Sequence, residues 1–173
     1  MSDGDAVLPP DPSGEPRLHG YSWMGARYHG GLYKRPPDLL VIHSAATGDN
    51  PARYLADPGD GRVVSAHISA QDRNGNFVQQ VALTEIAWHG GGSVFQGKGG
   101  VNQRSIGVEL PAHEGPQLVE QWRELVLVLV QVVPSLGMWT LHRWIKKGKT
   151  DPVPWDDEQC RAAMAGSGLI ESR

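Results

Sequence analysis

Two short apolar runs, Leu39-Leu-Val-Ile42 and Met138-Trp-Thr-Leu141, each lead directly into a histidine, His43 and His142. The first has no polar alternation, the pattern of a strand buried on both faces. A chain built on such strands needs a covering layer on each side of a sheet. The histidines then stand at strand ends, where a rigid scaffold opens onto irregular sequence able to shape a cleft.

The remaining pattern supplies the covering layers. Pro116 to about Val133 is a helix with Leu118, Trp122, Leu125, Val126, Leu129 and Val133 on one stripe. Asp49 or Asn50 caps a short helix with Pro51 at its first position, carrying Tyr54 and Leu55 inward, and Asp156 or Asp157 starts a last helix. Arg62 to Ser69 and Phe77 to Val81 read as hairpin strands around the Asn-Gly turn at Asp72-Arg-Asn-Gly75. Ser105-Ile-Gly-Val-Glu-Leu110 is another strand, with Gly107 where a backbone or ligand approaches closely. Strands interspersed with helices, some joined as hairpins, give a single α/β domain with a central mixed sheet flanked by helices. Its 173 residues suit one domain.

Composition removes several function classes. The formal net charge of −3 exerts no general pull toward nucleic acid or acidic lipid. One cysteine, Cys160, forms no internal disulfide and no Cys-only zinc site. The apolar run Leu125 to Val133 is too short to cross a bilayer, so no membrane insertion is expected. The acidic start, Met1-Ser-Asp-Gly-Asp, lacks the apolar core of a secretory signal, and synthesis in the cytoplasm is expected. Residues 1–17 read as a disordered leader, and residues 18–37, rich in aromatics and glycine, as an irregular arm packed on the domain.

Of seven histidines, His43 and His142 stand out by their strand-end positions, and Asp151 follows His142 by nine residues. Two imidazoles, one carboxylate and an open position for water make up a catalytic zinc set, although spacing alone selects such a trio from most chains of this size. The surrounding text is more specific. Val41-Ile-His-Ser44, Ser65-Ala-His-Ile68, Ala87-Trp-His-Gly90, Ser105-Ile-Gly-Val-Glu-Leu110 and Leu141-His142 with Gly148-Lys-Thr-Asp-Pro152 occur in that order. Together they resemble the zinc-dependent N-acetylmuramoyl-L-alanine amidases of the type-2 amidase and peptidoglycan-recognition-protein superfamily, over about residues 38 to 157.

The resemblance implies that residues 38–173 form the catalytic domain and that His43, His142 and Asp151 bind Zn2+. It places Glu109 as the acidic residue that activates the attacking water, and Lys149, two residues before the last ligand, as the cation that meets the oxyanion. Some phage members carry a Tyr directly before the second-block His and lack the Glu; here Ala66 stands there and Glu109 is kept. The His142–Asp151 loop is about one residue shorter than in the members the chain most resembles and reads Arg-Trp-Ile-Lys-Lys, which leaves Lys147 beside Lys149 as the cation. His67, Trp88, His89 and Asn102 are candidates for substrate contact, with a structural role for His67 equally open. Arg143, Lys146, Lys147 and Lys149 form either a solvated loop or a site for peptide carboxylates. The implied substrate is peptidoglycan or a muropeptide, cut between N-acetylmuramic acid and L-alanine by a monomer. A phage-type endolysin released to the wall at lysis is the leading role. A cytoplasmic muropeptide-recycling amidase and a non-catalytic recognition module are the alternatives.

Overall fold

The computed structural model describes residues 7–8, 17–45, 50–113 and 115–173. Among the described residues the strands are β1 Val7–Leu8, β2 Arg17–Leu18, β3 Ser22–Trp23, β4 Leu39–Ser44, β5 Ile68–Ala70, β6 Phe77–Gln79, β7 Ser105–Leu110, β8 Met138–Leu141 and β9 Ile170–Glu171. The helices are α1 Pro51–Ala56, α2 Pro116–Val132, α3 His142–Ile145 and α4 Asp157–Met164. Seven strands form one mixed sheet in the order β3-β6-β5-β7-β4-β8-β9. Only the β5–β6 hairpin is antiparallel; every other pairing in that sheet is parallel. This is the expected α/β architecture.

The apolar strands are central because both of their faces are covered. Leu40, Ile42, Ile106, Val108, Leu110, Trp139 and Leu141 meet the stripe of α2 (Leu118, Trp122, Leu125, Val126, Leu129) and Cys160, Ala163 and Met164 of α4. On the opposite face Leu39 and Val41 are covered by Phe95, Val101 and Ile145. Each fully buried side chain of this size contributes about 1.5–3 kcal/mol of transfer free energy. The helix starts follow side-chain chemistry: Asn50 Oδ1 accepts the Arg53 N–H, and Asp156 with Gln159 forms a capping box. Asp49 lies outside the described residues. Leu55 points inward as expected, whereas Tyr54 is only partly covered and lines a cleft.

Two expectations need correction, and one strand lies outside the expectations. The strand expected over Arg62 to Ser69 begins only at Ile68. Before it, Ser65 pairs with the Trp88 loop (N–H to Trp88 O 3.1 Å, and Trp88 N–H to Ser65 Oγ 2.9 Å), so residues 62–65 lie outside the ladder and border the cleft. The arm is not wholly irregular, since β3 extends the sheet beside β6. The chain also forms β9 against β8, with no sequence signal pointing to it. The expected leader over 1–17 falls mostly on residues outside those described; within it Val7–Leu8 pairs antiparallel with Arg17–Leu18. Among the described residues no helix is long and apolar enough to cross a membrane.

Candidate active site

Register brings the polar candidates together. β4 lies between β7 and β8, both parallel to it, with His43 opposite Glu109 and Ile42 opposite Leu141. His142, the residue after Leu141, is therefore level with His43. Side chains alternate along a strand, so His43 follows Leu39 and Val41 onto the face away from α2, and Glu109 shares it. The carboxyl ends of three adjacent parallel strands thus deliver two imidazoles and a carboxylate to one corner, the usual position of a site on a parallel sheet.

A loop returns Asp151 to that corner. The Arg143 N–H donates to Asp151 O at 2.8 Å, and the Arg143 guanidinium donates to the carbonyls of Pro152 and Trp155 and to the Asp157 carboxylate. The Ser44 hydroxyl donates to Val153 O at 2.8 Å and accepts the Val153 N–H at 2.7 Å. Arg143 is therefore spent on the loop rather than offered to a substrate carboxylate. Ser44, adjacent to a ligand in sequence, was not singled out by sequence reasoning.

The three donor atoms form a tight triangle. His43 Nδ1 lies 3.1 Å from His142 Nδ1 and 3.3 Å from Asp151 Oδ2, and the last two are 2.8 Å apart. A tetrahedral ion with bonds of about 2.0–2.1 Å holds its ligand atoms about 3.3–3.4 Å apart. Two nitrogens and one carboxylate oxygen at this spacing fit zinc, with a fourth position toward the cleft.

The electrostatics match that donor set. Burial drives the His43 pKa down to about 4, with the neighbouring Asp151 opposing this and His142 adding to it. Burial works against ionised Asp151, but the imidazoles of His142 and His43 beside it outweigh that and hold the carboxyl well below the usual range. Burial raises Glu109 to about 8, the nearby Asp151 charge adds to this, and Lys149 opposes it.

A cleft of about 600 Å³ opens over the triangle, and Glu109, Trp88, His89 and Lys149 line it. Lys149 borders the cleft and Lys147 does not. Asn102 borders an adjoining hollow, where its Oδ1 accepts the Gly90 N–H at 2.7 Å. His67 departs from the substrate-contact expectation. It is fully buried, with Nδ1 accepting the Gly107 N–H at 3.0 Å and Nε2 facing Glu85 O at 2.9 Å and Tyr33 Oη at 3.0 Å. All its polar capacity goes to joining β7, the 85 loop and the arm. An apolar cavity of about 540 Å³ between the arm and the end of α2 contains none of the titratable candidates.

Comparison with known proteins agrees with this chemistry. The family profile described as N-acetylmuramoyl-L-alanine amidase (Amidase_2) matches residues 33–162. The 1,6-anhydro-N-acetylmuramyl-L-alanine amidase AmpD of Enterobacter cloacae is 38% identical over 140 residues, 68% of this chain and 75% of that protein. AmpD of Salmonella typhimurium is 30% identical over 158 residues, 78% of this chain and 84% of that protein. Among solved structures, a selenomethionine AmpD derivative superposes with a TM-score of 0.72 at 27% identity, covering 85% of this chain and 96% of that one.

Proposed function

The chain belongs to the N-acetylmuramoyl-L-alanine amidase family, and from that premise we propose that it hydrolyses the amide between the muramoyl lactyl group and L-alanine of soluble anhydro-muropeptides. The carrying observation is the triangle of His43, His142 and Asp151 with Glu109 in register beside His43. Zinc held there supplies a Lewis acid that polarises the scissile carbonyl and acidifies water toward a pKa of about 7. Glu109, in register beside His43 and lining the cleft, is placed to accept a proton from the attacking water and return it to the leaving amine. Lys149 borders the cleft where its ammonium meets the oxygen that becomes negative. Trp88 offers an aromatic wall for a sugar or peptide face.

The endolysin role expected from sequence gives way to the recycling role. The relatives named above are amidases of a 1,6-anhydro sugar. Such a sugar has C1 closed onto its own O6, so it stands only at a glycan terminus or on a released fragment. A cytoplasmic location and action as a monomer, with residues 38–173 as catalytic domain and 18–37 as supporting arm, belong to this proposal. A non-catalytic recognition module is disfavoured by the complete donor set. The test is mass spectrometry of products from a soluble anhydromuramoyl-peptide and from intact sacculi. We expect cleavage of the soluble substrate, abolished by a chelator and restored by zinc. Comparable rates on sacculi would return the endolysin role, and no amide cleavage of either would refute the enzyme.

A further inference from the structure

The cleft contains one histidine that the reaction above leaves without a task. His89 Nδ1 lies 3.0 Å from His43 Nε2, and the two rings cross at 80°. A neutral imidazole carries one N–H and one lone pair, so one of these nitrogens donates to the other. Which one is decided on the far side of His89. Its Nε2 lies 3.2 Å from Ser105 Oγ and 3.4 Å from Ser105 O. The Ser105 hydroxyl hydrogen is committed to Val101 O at 2.6 Å, and the carbonyl has none to give. Both groups facing Nε2 are therefore acceptors. His89 must carry its hydrogen on Nε2 and accept on Nδ1, so His43 donates from Nε2. The His43 lone pair is left on Nδ1, the atom that faces His142 Nδ1 and Asp151 Oδ2.

We infer that His89, backed by Ser105, is a positioning residue that fixes His43 in the one tautomer able to ligate a metal ion, rather than a substrate contact. This rests on the reading of His43, His142 and Asp151 as a zinc site. Metal-ligating imidazoles commonly have the second nitrogen engaged in this way, and losing the partner weakens metal binding. Two further features hold the device in place. A Cβ on Gly107 would sit 2.4 Å from His89 Cγ, so the bare strand is what lets the ring lie against β7. The loop after His89 is tied down by Asn102 through the Gly90 N–H, which gives Asn102 a structural task. His142 differs: its buried Nε2 has no hydrogen-bond partner among the described residues. His43 is thus the ligand whose tautomer is built into the fold.

The experiment uses the full chain as wild type, His89→Phe and Ser105→Ala. Zinc affinity is measured by competition with a chelating dye, and ring tautomers are read from long-range nitrogen–proton spectra of the zinc-free protein. We expect the Nε2–H form of His43 in zinc-free wild type. His89→Phe, which keeps a ring over Gly107, should weaken zinc binding by about 10–100-fold, and Ser105→Ala should weaken it in the same direction. At saturating zinc, KM for the muropeptide should be unchanged in His89→Phe; a KM rise with unaltered zinc affinity would make His89 a substrate contact instead. Unchanged affinity in both variants would overturn the relay while leaving the metal site intact. A His43 hydrogen on Nδ1 in wild type would overturn it even if His89→Phe failed to fold. A wild-type protein that binds no zinc would refute the metal reading and the relay with it.

Discussion

Acidification should destabilise this fold through His67, and the size of the loss follows from its surroundings. The ring is fully buried, its Nδ1 accepts the Gly107 N–H, and its Nε2–H is shared between Glu85 O and Tyr33 Oη, whose own hydrogen goes to Ser105 O. A proton on Nδ1 would set donor against donor. Burial lowers the pKa from 6.5 to about 4, with the Glu85 carbonyl opposing. Since the folded value lies below the unfolded one, the unfolded chain binds more protons between them, and stability falls as pH drops. The loss begins near pH 6.5 and is complete below about 4, where it reaches about 3 kcal/mol. Between pH 7 and pH 5 the same relation gives about 2 kcal/mol. Because pH 5 lies above the folded value, that figure is governed mainly by the unfolded chain. The assay is urea unfolding of zinc-free protein at both pH values, followed by tryptophan fluorescence, for wild type and His67→Gln. With an m-value of about 2 kcal/mol/M, the wild-type midpoint should fall about 1 M further than that of the variant. Equal falls would show that His67 is not held neutral and would refute the hydrogen-bond assignment.

Glu109→Gln keeps the side-chain size but removes proton transfer, so turnover should fall by about 10²–10⁴-fold while elemental analysis finds zinc content unchanged. Asp151→Ala removes one corner of the donor triangle, and zinc retained after dialysis should fall well below one per chain; full retention would mean that another residue is the third ligand. Arg143→Met strips the 151–157 loop of its donors to Pro152, Trp155 and Asp157. A loss of about 2 kcal/mol should lower the melting temperature by about 4–8 °C, with weaker zinc binding alongside; an unchanged melt and affinity would show that the loop holds Asp151 without it.

The parts of this fold legible in the sequence are those whose signal is local. Leu39–Ile42 and the stripe of α2 carry uninterrupted or periodic apolar patterns, and Asn50 and Asp156 cap helices through their own side chains. The missed parts are made by partners distant in the chain. β9 is two residues long, too short to show any period, and exists because Met138 and Trp139 present a free ladder to Ile170 and Glu171. Residues 62–67 look like strand by propensity, yet Ser65 takes its hydrogen bonds from Trp88, 23 residues away. Propensity yields there to a pairing that no window along the chain contains.

The site was legible for a different reason in each of its members. His43, Glu109 and His142 sit at or beside the ends of apolar strands, and once β4 is flanked by parallel β7 and β8, their register and alternation place all three on one face. Asp151 follows from no periodicity; the resemblance pointed to it, and Arg143 and Ser44 hold it there. His67 and His89 are the instructive pair, because in sequence both stand beside small residues at strand or loop edges, in Ala66-His67-Ile68 and Trp88-His89-Gly90. What separates them is Gly107. Its N–H is taken by His67, and the space above its Cα is filled by the His89 ring. One bare residue on β7 therefore sets both rings: the first is locked neutral beneath the cleft, and the second is seated where its Nδ1 reaches His43. The close approach expected at Gly107 was visible in the chain, but the identity of the approaching group depended on how a loop 18 residues earlier folds back across the sheet.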